Sequence, residues 1–256
     1  MNSIENLLPL LYTYKPISLA EMDSVALMDR FDTKFVFNYN QVEIILKNLI
    51  EKYKVLVVAG LPYATYKNLY YDTPDHEFYY EHHNGKGHRC KVRFREYAES
   101  KLSFFEIKVK NNKGKTLKSR VRTPEVFQAL NPELKTMAGL AFPEVDAAKL
   151  QPELWNNFNR ITLVNLESKE RVTLDFNLRF IKNGADKTLN NLVIAEVKHE
   201  SSGRLSPFIS LMLDLRIKEF SFSKYCVGTL FMNKNIRYNN FKAQLLTINK
   251  MTSSYA

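Results

Sequence analysis

Lys91-Val-Arg-Phe-Arg95 and Phe104-Phe-Glu-Ile-Lys-Val-Lys110 lie a few residues apart and share one pattern. Side chains on a strand alternate faces. In the first stretch Lys91, Arg93 and Arg95 therefore take one face, and Val92 and Phe94 the other. In the second, Glu106, Lys108 and Lys110 oppose Phe105, Ile107 and Val109. A loop over 98–101 joins them as an antiparallel hairpin in which Lys91 faces Lys108, Arg93 faces Glu106, Val92 faces Ile107 and Phe94 faces Phe105. Both strands then put charge on one side and apolar groups on the other, so the register is self-consistent.

Downstream, Arg171 to Phe180 alternates Arg, Thr, Asp, Asn and Arg against Val, Leu, Phe, Leu and Phe. A loop over 167–170 pairs it with Arg160–Leu166, placing Arg160 opposite Asn177 and Thr162 opposite Asp175. Ile194-Ala-Glu-Val-Lys198 again puts Glu196 and Lys198 on one side. A sheet with one solvated face gives such alternation too. Here the charged face is strongly basic and recurs from strand to strand. Two cations ~6 Å apart repel by roughly 3 kcal/mol at an effective dielectric of ~20. Carboxylates or a bound anion must relieve that, and the planar guanidinium fork fits phosphate oxygens. The expectation is an α+β fold: an antiparallel β-barrel tunnel with a charged interior and helices packed outside.

Other segments fit around this sheet. Ser18 and Glu21 have capping-box spacing, predicting a helix over 19–28, and Asp29 to Phe37 reads as a strand. Asn40 and Glu43 repeat the spacing ahead of the stripe Val42, Ile45, Leu46, Leu49 and Tyr53. Tyr63–Asp72 reads as a strand ending in a turn. Tyr79–Gly87, with His82 and His83 and flanked by His76 and His88, reads as a polar loop without metal-ligand spacing. Short helices are expected between Pro124 and Phe158, a strand over 192–200, a helix from Pro207 to about Lys218, and another from near Ser223.

The whole chain, residues 1–256, is read as a single domain. It carries 37 Lys and Arg against 27 Asp and Glu, a formal charge of +10, which calls for an anionic partner. Apolar runs are too short to span a bilayer, and the N-terminal segment lacks the basic start of a signal peptide. Its two cysteines suggest neither a disulfide framework nor a metal site, so a cytoplasmic protein is expected. A nucleic-acid partner is not expected, because the stretch around Lys91 does not match an RNA-recognition motif.

Taken in order, Arg30-Phe-Asp-Thr-Lys34, Tyr71-Asp-Thr-Pro-Asp75, Lys91-Val-Arg-Phe-Arg95, Phe105-Glu-Ile-Lys108, Lys118-Ser-Arg120, Asn159-Arg160, Arg171-Val-Thr-Leu-Asp175, Ala195-Glu-Val-Lys198 and Ser223-Lys-Tyr225 resemble the polyphosphate polymerase domain of the vacuolar transporter chaperone (VTC) family. This is a branch of the triphosphate tunnel metalloenzymes. The resemblance implies that Lys34, Arg93, Arg95, Lys108, Arg160 and Lys224 grip phosphates, with Lys91, Lys118, Arg120, Arg171 and Lys198 in a second rank. It implies a divalent ion, Mn2+ or Mg2+, on Glu196. ATP and polyphosphate, or triphosphate, are the implied partners. The broader superfamily opens with Glu-x-Glu-x-Lys, where this chain has Arg30-x-Asp32-x-Lys34. Hydrolysis of triphosphate or nucleoside triphosphate, and non-catalytic polyphosphate binding, are the competing outcomes on the same fold.

Overall fold

The computed structural model describes residues 4–23, 31–199 and 206–253. The strands are β1 (Pro16–Ile17), β2 (Phe31–Asn38), β3 (Lys54–Leu56), β4 (Ala64–Asp72), β5 (Arg89–Tyr97), β6 (Leu102–Lys110), β7 (Thr116–Thr123), β8 (Gln151–Asn165), β9 (Glu170–Lys182), β10 (Ala185–Leu189) and β11 (Leu192–His199). The helices are α1 (Leu8–Leu11), α2 (Leu19–Asp23), α3 (Val42–Leu49), α4 (Glu77–His83), α5 (Pro132–Ala141), α6 (Pro207–Asp214), α7 (Lys224–Met232) and α8 (Lys242–Ser253).

One antiparallel path, β2-β11-β9-β8-β4-β5-β6-β7, forms the body of the sheet. At its margin β10 pairs with β9, β3 with β8, and β1 runs parallel to β3. Among the described residues β2 and β7 do not pair, so hydrogen bonds leave the barrel open along one seam. The sheet nonetheless wraps around. On a flat sheet the three spacings from β5 to β9 would separate the two strands by ~14 Å. Yet Lys91 of β5 donates to Ser223 and the adjacent Lys224 pairs with Asp175 of β9, so the two strands converge on the start of α7.

The outward faces carry the apolar cores. Val92, Phe94, Phe105, Ile107 and Val109 are buried together with Leu130, Leu134, Ala138 and Phe142 on one flank. On the other, Ile161, Leu163, Val172, Leu174, Val193, Ala195 and Val197 pack with Val42, Ile45, Leu46 and Leu49 of α3 and Phe208 and Met212 of α6. Each Val, Leu, Ile, Phe or Met among them contributes ~1.5–3 kcal/mol when fully buried, so apolar burial lies outside the sheet and leaves the inside to charge. α7 crosses one end of the interior. Its Gly228 sits where a Cβ would lie 2.4 Å from Phe180 Cδ1 and 2.5 Å from Leu154 Cδ2. No described helix is long and apolar enough to cross a membrane.

The β5–β6 register is the one read from the sequence, Lys91 to Lys108 and Arg93 to Glu106. The β8–β9 register differs by two residues: Arg160 faces Asp175, Thr162 faces Thr173 and Leu163 faces Val172. The turn occupies 166–169, not 167–170. Asn165 accepts from the backbone N–H groups of Glu167 and Ser168, Lys169 takes φ 49°, and the Glu170 carboxylate accepts from Tyr53 on the outer face. A two-residue slip preserves the faces, so the charge pattern could not reveal it.

Five other expectations change. The loop over 79–87 is largely helix α4, because the Asp72 carboxylate accepts from Phe78 N and Tyr79 N. The capping box before α3 is Asn38 with Gln41, not Asn40 with Glu43. Helix α5 is followed by one strand from Gln151 to Asn165, so Arg160 lies within β8 and not at its start. Strand β7 was not foreseen, and α6 ends at Asp214 instead of near Lys218. The Ser18–Glu21 box and the caps at Ser206 and Ser223 are as expected. Helix residues 24–28, the strand start 29–30 and Glu200 lie outside the described residues.

Candidate functional site

β5 presents Lys91, Arg93 and Arg95 inward, and β6 and β7 oppose them with Glu106, Lys108, Lys118 and Arg120. Glu106 is 2% exposed and gathers three of these cations. Arg93 donates Nε at 2.9 Å and an Nη at 2.7 Å to one oxygen. Lys118 reaches the other at 2.7 Å, and Arg95 Nε stands 3.9 Å away. Burial works against ionisation, but Arg93, Arg95 and Lys118 outweigh it and hold the Glu106 carboxyl down to about 2.

Across the interior, Asp175 on β9 forms a second node, also 2% exposed. Arg160 donates to it through two nitrogens, at 2.6 and 2.7 Å, and the Lys224 ammonium from α7 completes the site. Burial pushes Asp175 up, while Arg160 and Lys224 prevail and hold its pKa below the ordinary value. The corrected β8–β9 register creates this node. The sequence reading did not assign Asp175, because its register faced that residue with Thr162.

A third node lies on β11 and β2, where Glu196 pairs with Lys34 and Lys198 with Asp32 in the ladder. Lys198 Nζ is 2.5 Å from Glu196 Oε1 and 3.2 Å from both Asp32 oxygens, and Lys34 Nζ is 4.0 Å from Glu196. Burial opposes ionisation of Glu196, but Lys198, Lys34 and Arg160 carry its pKa far below the ordinary range. Unlike the other two nodes, Glu196 keeps 20% of its side chain in contact with solvent.

Aromatic rings orient the cations. Tyr66 lies parallel to Phe158 at 5.1 Å, with the Arg95 and Arg160 guanidiniums 5.1 and 4.9 Å from its centroid. Lys224 Nζ stands 4.6 Å over Phe158, and Arg120 5.1 Å over Phe104. Such contacts are worth ~0.5–2 kcal/mol each and favour particular guanidinium planes. The sequence reading gave these rings no role, although Tyr66 and Tyr70 fall on one face of the strand it placed over Tyr63–Asp72. Tyr70 meets Arg93 at 3.3 Å; burial raises its pKa, yet Arg93, Lys91 and Lys224 leave the phenol more acidic than usual.

Lys108 forms no ion pair among the described residues and faces Lys91 and Lys118 in the ladder. Its side chain is solvent-exposed, yet the surrounding protein desolvates it enough to bring its pKa down to about 8, with Glu196 opposing and Lys91 and Lys198 reinforcing. Lying open to water while walled by protein is the condition of a wet concavity. Lys91 donates to Ser223 Oγ at 3.1 Å, and Arg171 stands beside Lys198 in the ladder. All the expected cations thus lie on the inward face or, for Lys224, on α7 beside it.

Among the described residues no three His, Cys, Asp or Glu side chains converge as a metal site. Asp32 and Glu196 do converge, around a lysine cation. Hard carboxylate oxygens suit Mg2+ or Mn2+, and Mg2+ is commonly held by one or two carboxylates with phosphate oxygens and water completing the shell. The donor set therefore fits a divalent ion shared with a phosphate ligand. His82 on α4 packs edge-on to Phe241 at 5.9 Å, burial with help from Lys91 and Arg89 brings its pKa to about 3, and it joins no cluster of metal-binding side chains among the described residues. A separate cavity of about 180 Å³ against α4 is lined by Asp75, Glu77 and Glu81 with one cation, Lys86, a carboxylate excess that does not suit phosphate.

Residues 29–233 match the family model described as the VTC domain. Among solved structures, a proposed adenylate cyclase from Bacillus halodurans aligns with a TM-score of 0.50 and 12% identity, over 77% of this chain and 96% of its own. A proposed adenylyl cyclase from Hippeastrum, with a dominant triphosphatase activity, aligns with a TM-score of 0.51 and 11% identity, over 78% of this chain and 95% of its own. At these identities the likeness is one of fold. No curated protein matches the chain.

Proposed function

The chain belongs to the VTC domain family, and from that premise we propose that it is a polyphosphate polymerase, transferring the γ-phosphate of ATP to a growing polyphosphate chain. The observation that supports this best is the inward belt of cations, oriented by Glu106, Asp175 and an aromatic shelf and far outnumbering the carboxylates among them. A polyanion is the ligand that neutralises such a face along its length.

Arg93 and Arg160 each spend two nitrogens on a carboxylate and keep other N–H donors for phosphate oxygens. Arg95, Lys108 and Lys224 add charge from facing walls, and Lys34, Lys91, Lys118, Arg120, Arg171 and Lys198 extend the belt. Phosphoryl transfer asks mainly for positioning and charge stabilisation. The terminal phosphate of the acceptor is already anionic, so no protein base is needed. Its oxygen forms a bond to the γ-phosphorus as the bond to the β-phosphate oxygen breaks, and ADP leaves. A divalent ion held by Glu196 would neutralise charge on the phosphate oxygens.

The open seam between β2 and β7 favours a second reading, in which water takes the place of the acceptor phosphate. The triphosphatase activity of the Hippeastrum relative accords with it. Purified protein incubated with ATP and Mn2+, with products resolved by size, separates the outcomes. A ladder of long polyphosphate supports polymerisation. ADP with orthophosphate alone overturns it in favour of hydrolysis, and polyphosphate binding without turnover overturns it in favour of a binding module.

A further inference from the structure

Among the described residues, Lys198 is placed unlike the other cations of the interior. Its ammonium contacts Glu196 and both oxygens of Asp32 at 2.5 to 3.2 Å, bridging two carboxylates on neighbouring strands. Pairing of Glu196 with Lys34 and of Lys198 with Asp32 fixes this diagonal arrangement in the backbone. The position between the carboxylates is thus already filled by a cation, and that cation is tethered to the same strand as one of its ligands.

We propose that Lys198 is a built-in counter-cation that occupies the divalent-ion position until ligand arrives, so that Asp32 and Glu196 bind metal only as the ammonium withdraws. This rests on the reading of Glu196 as the metal's carboxylate. Two cations cannot share one pair of carboxylates at contact distance without strong repulsion. Without phosphate, the lysine wins by proximity, because its tether keeps its local concentration high. An entering triphosphate offers the ammonium other oxygens, and the freed carboxylates then receive the metal. Binding of the two ligands is therefore coupled, and the coupling is reciprocal. The arrangement keeps the charged interior neutralised when empty and limits metal uptake without substrate.

The test is Mn2+ binding to the full chain without nucleotide, read from the electron paramagnetic resonance signal of free Mn2+. Lys198→Met removes the cation and keeps much of the stem. It should tighten Mn2+ binding about tenfold or more, as expected for losing a like charge at contact distance, whereas Lys198→Arg should not. Equal affinity of Lys198→Met and wild type overturns the proposal. Glu196→Gln on the same preparation addresses the underlying reading separately: if it binds Mn2+ as tightly as wild type, Glu196 is not the metal's carboxylate. Should Lys198→Met fail to fold, lysines of the wild type carrying 13C-methyl labels provide a second measurement. Saturating Mg2+ should move the Lys198 resonance, identified by its loss in Lys198→Arg, and an unmoved resonance overturns the proposal.

Discussion

Replacing Asp175 with asparagine leaves the shape of the second node and removes its charge. The carboxylate is 2% exposed and faces two cations held against it by β8 and α7. Removing one partner of a buried ion pair costs ~3–5 kcal/mol, because the remaining charge stays buried and uncompensated. Asparagine still offers one acceptor oxygen, which argues for the lower end, ~3 kcal/mol. At ~2–4 °C per kcal/mol for a chain of this size, the melting midpoint of the ligand-free protein should fall by ~6–12 °C. Triphosphate supplies the missing negative charge to Arg160 and Lys224, so the deficit should shrink when ligand binds. A ligand at 100 times its dissociation constant stabilises by ~2.7 kcal/mol, and tighter binding at fixed concentration stabilises more. Differential scanning fluorimetry with and without tripolyphosphate reads both effects. The pH dependence has a definite sign. The folded pKa of Asp175 lies below its ordinary value, so its contribution is present above the unfolded value and is lost as pH falls through the folded one. The gap between wild type and variant should be constant near neutrality and narrow only in acid. A ligand-free midpoint within ~2 °C of wild type refutes the reasoning. An equal gain with tripolyphosphate for both proteins does so too.

Lys108, with its pKa lowered to about 8, should release its proton as pH rises through that value, so tripolyphosphate affinity measured by calorimetry should decline there, and Lys108→Arg should shift the decline upward. In the ligand-free protein the same group acts oppositely: between about 8 and the ordinary lysine value the unfolded chain binds more protons, so Lys108 makes stability rise with pH. Glu196→Gln should keep tripolyphosphate binding but lose metal-dependent turnover of ATP by orders of magnitude; wild-type turnover in that variant rules out its metal role. Gly228→Ala places a methyl group within 2.7 Å of Phe180 and Leu154 and should destabilise the protein by ~1–3 kcal/mol in denaturant titration; an unchanged midpoint would mean that α7 is packed differently.

What the sequence disclosed was the division of faces. Alternation of Arg and Lys with Val, Phe and Ile gave the β5–β6 hairpin residue by residue, because its loop was short and both faces carried a signal. For β8–β9 the same alternation fixed the face but not the register, since turns two residues apart give the same pattern, and backbone bonds to Asn165 made the choice. Strand β7 was missed because its alternation is weak: Leu117 and Val121 are separated by Ser119, and both stay exposed, so no buried apolar face marks it. α4 was missed because its cap is supplied by Asp72 at the end of β4, several residues before the helix begins. The cations of the site could be named early because their charge is a property of the residue. Their partners, Asp175 and Tyr66 above all, are a property of the register and curvature and became legible only in three dimensions.

The same distinction separates the two glutamates. Glu106-Ile-Lys108 and Glu196-Val-Lys198 are one local pattern, a carboxylate followed on its own strand face by a lysine. On β6 the neighbours are β5 and β7, both rich in inward cations, so Glu106 is enclosed by Arg93, Arg95 and Lys118 and nearly dry. To recruit a metal it would have to break buried pairs costing several kcal/mol to lose. On β11 the neighbours are β2 and β9, and Glu196 keeps solvent contact, a short bond to Lys198 and a 4.0 Å approach from Lys34. Exchanging one ammonium for another cation would cost far less there, because the carboxylate is partly solvated and would end paired with a cation again. Burial and the identity of the flanking strands, rather than the local motif, make Glu106 an anchor for the arginines and leave Glu196 the carboxylate that the proposed exchange of partner requires.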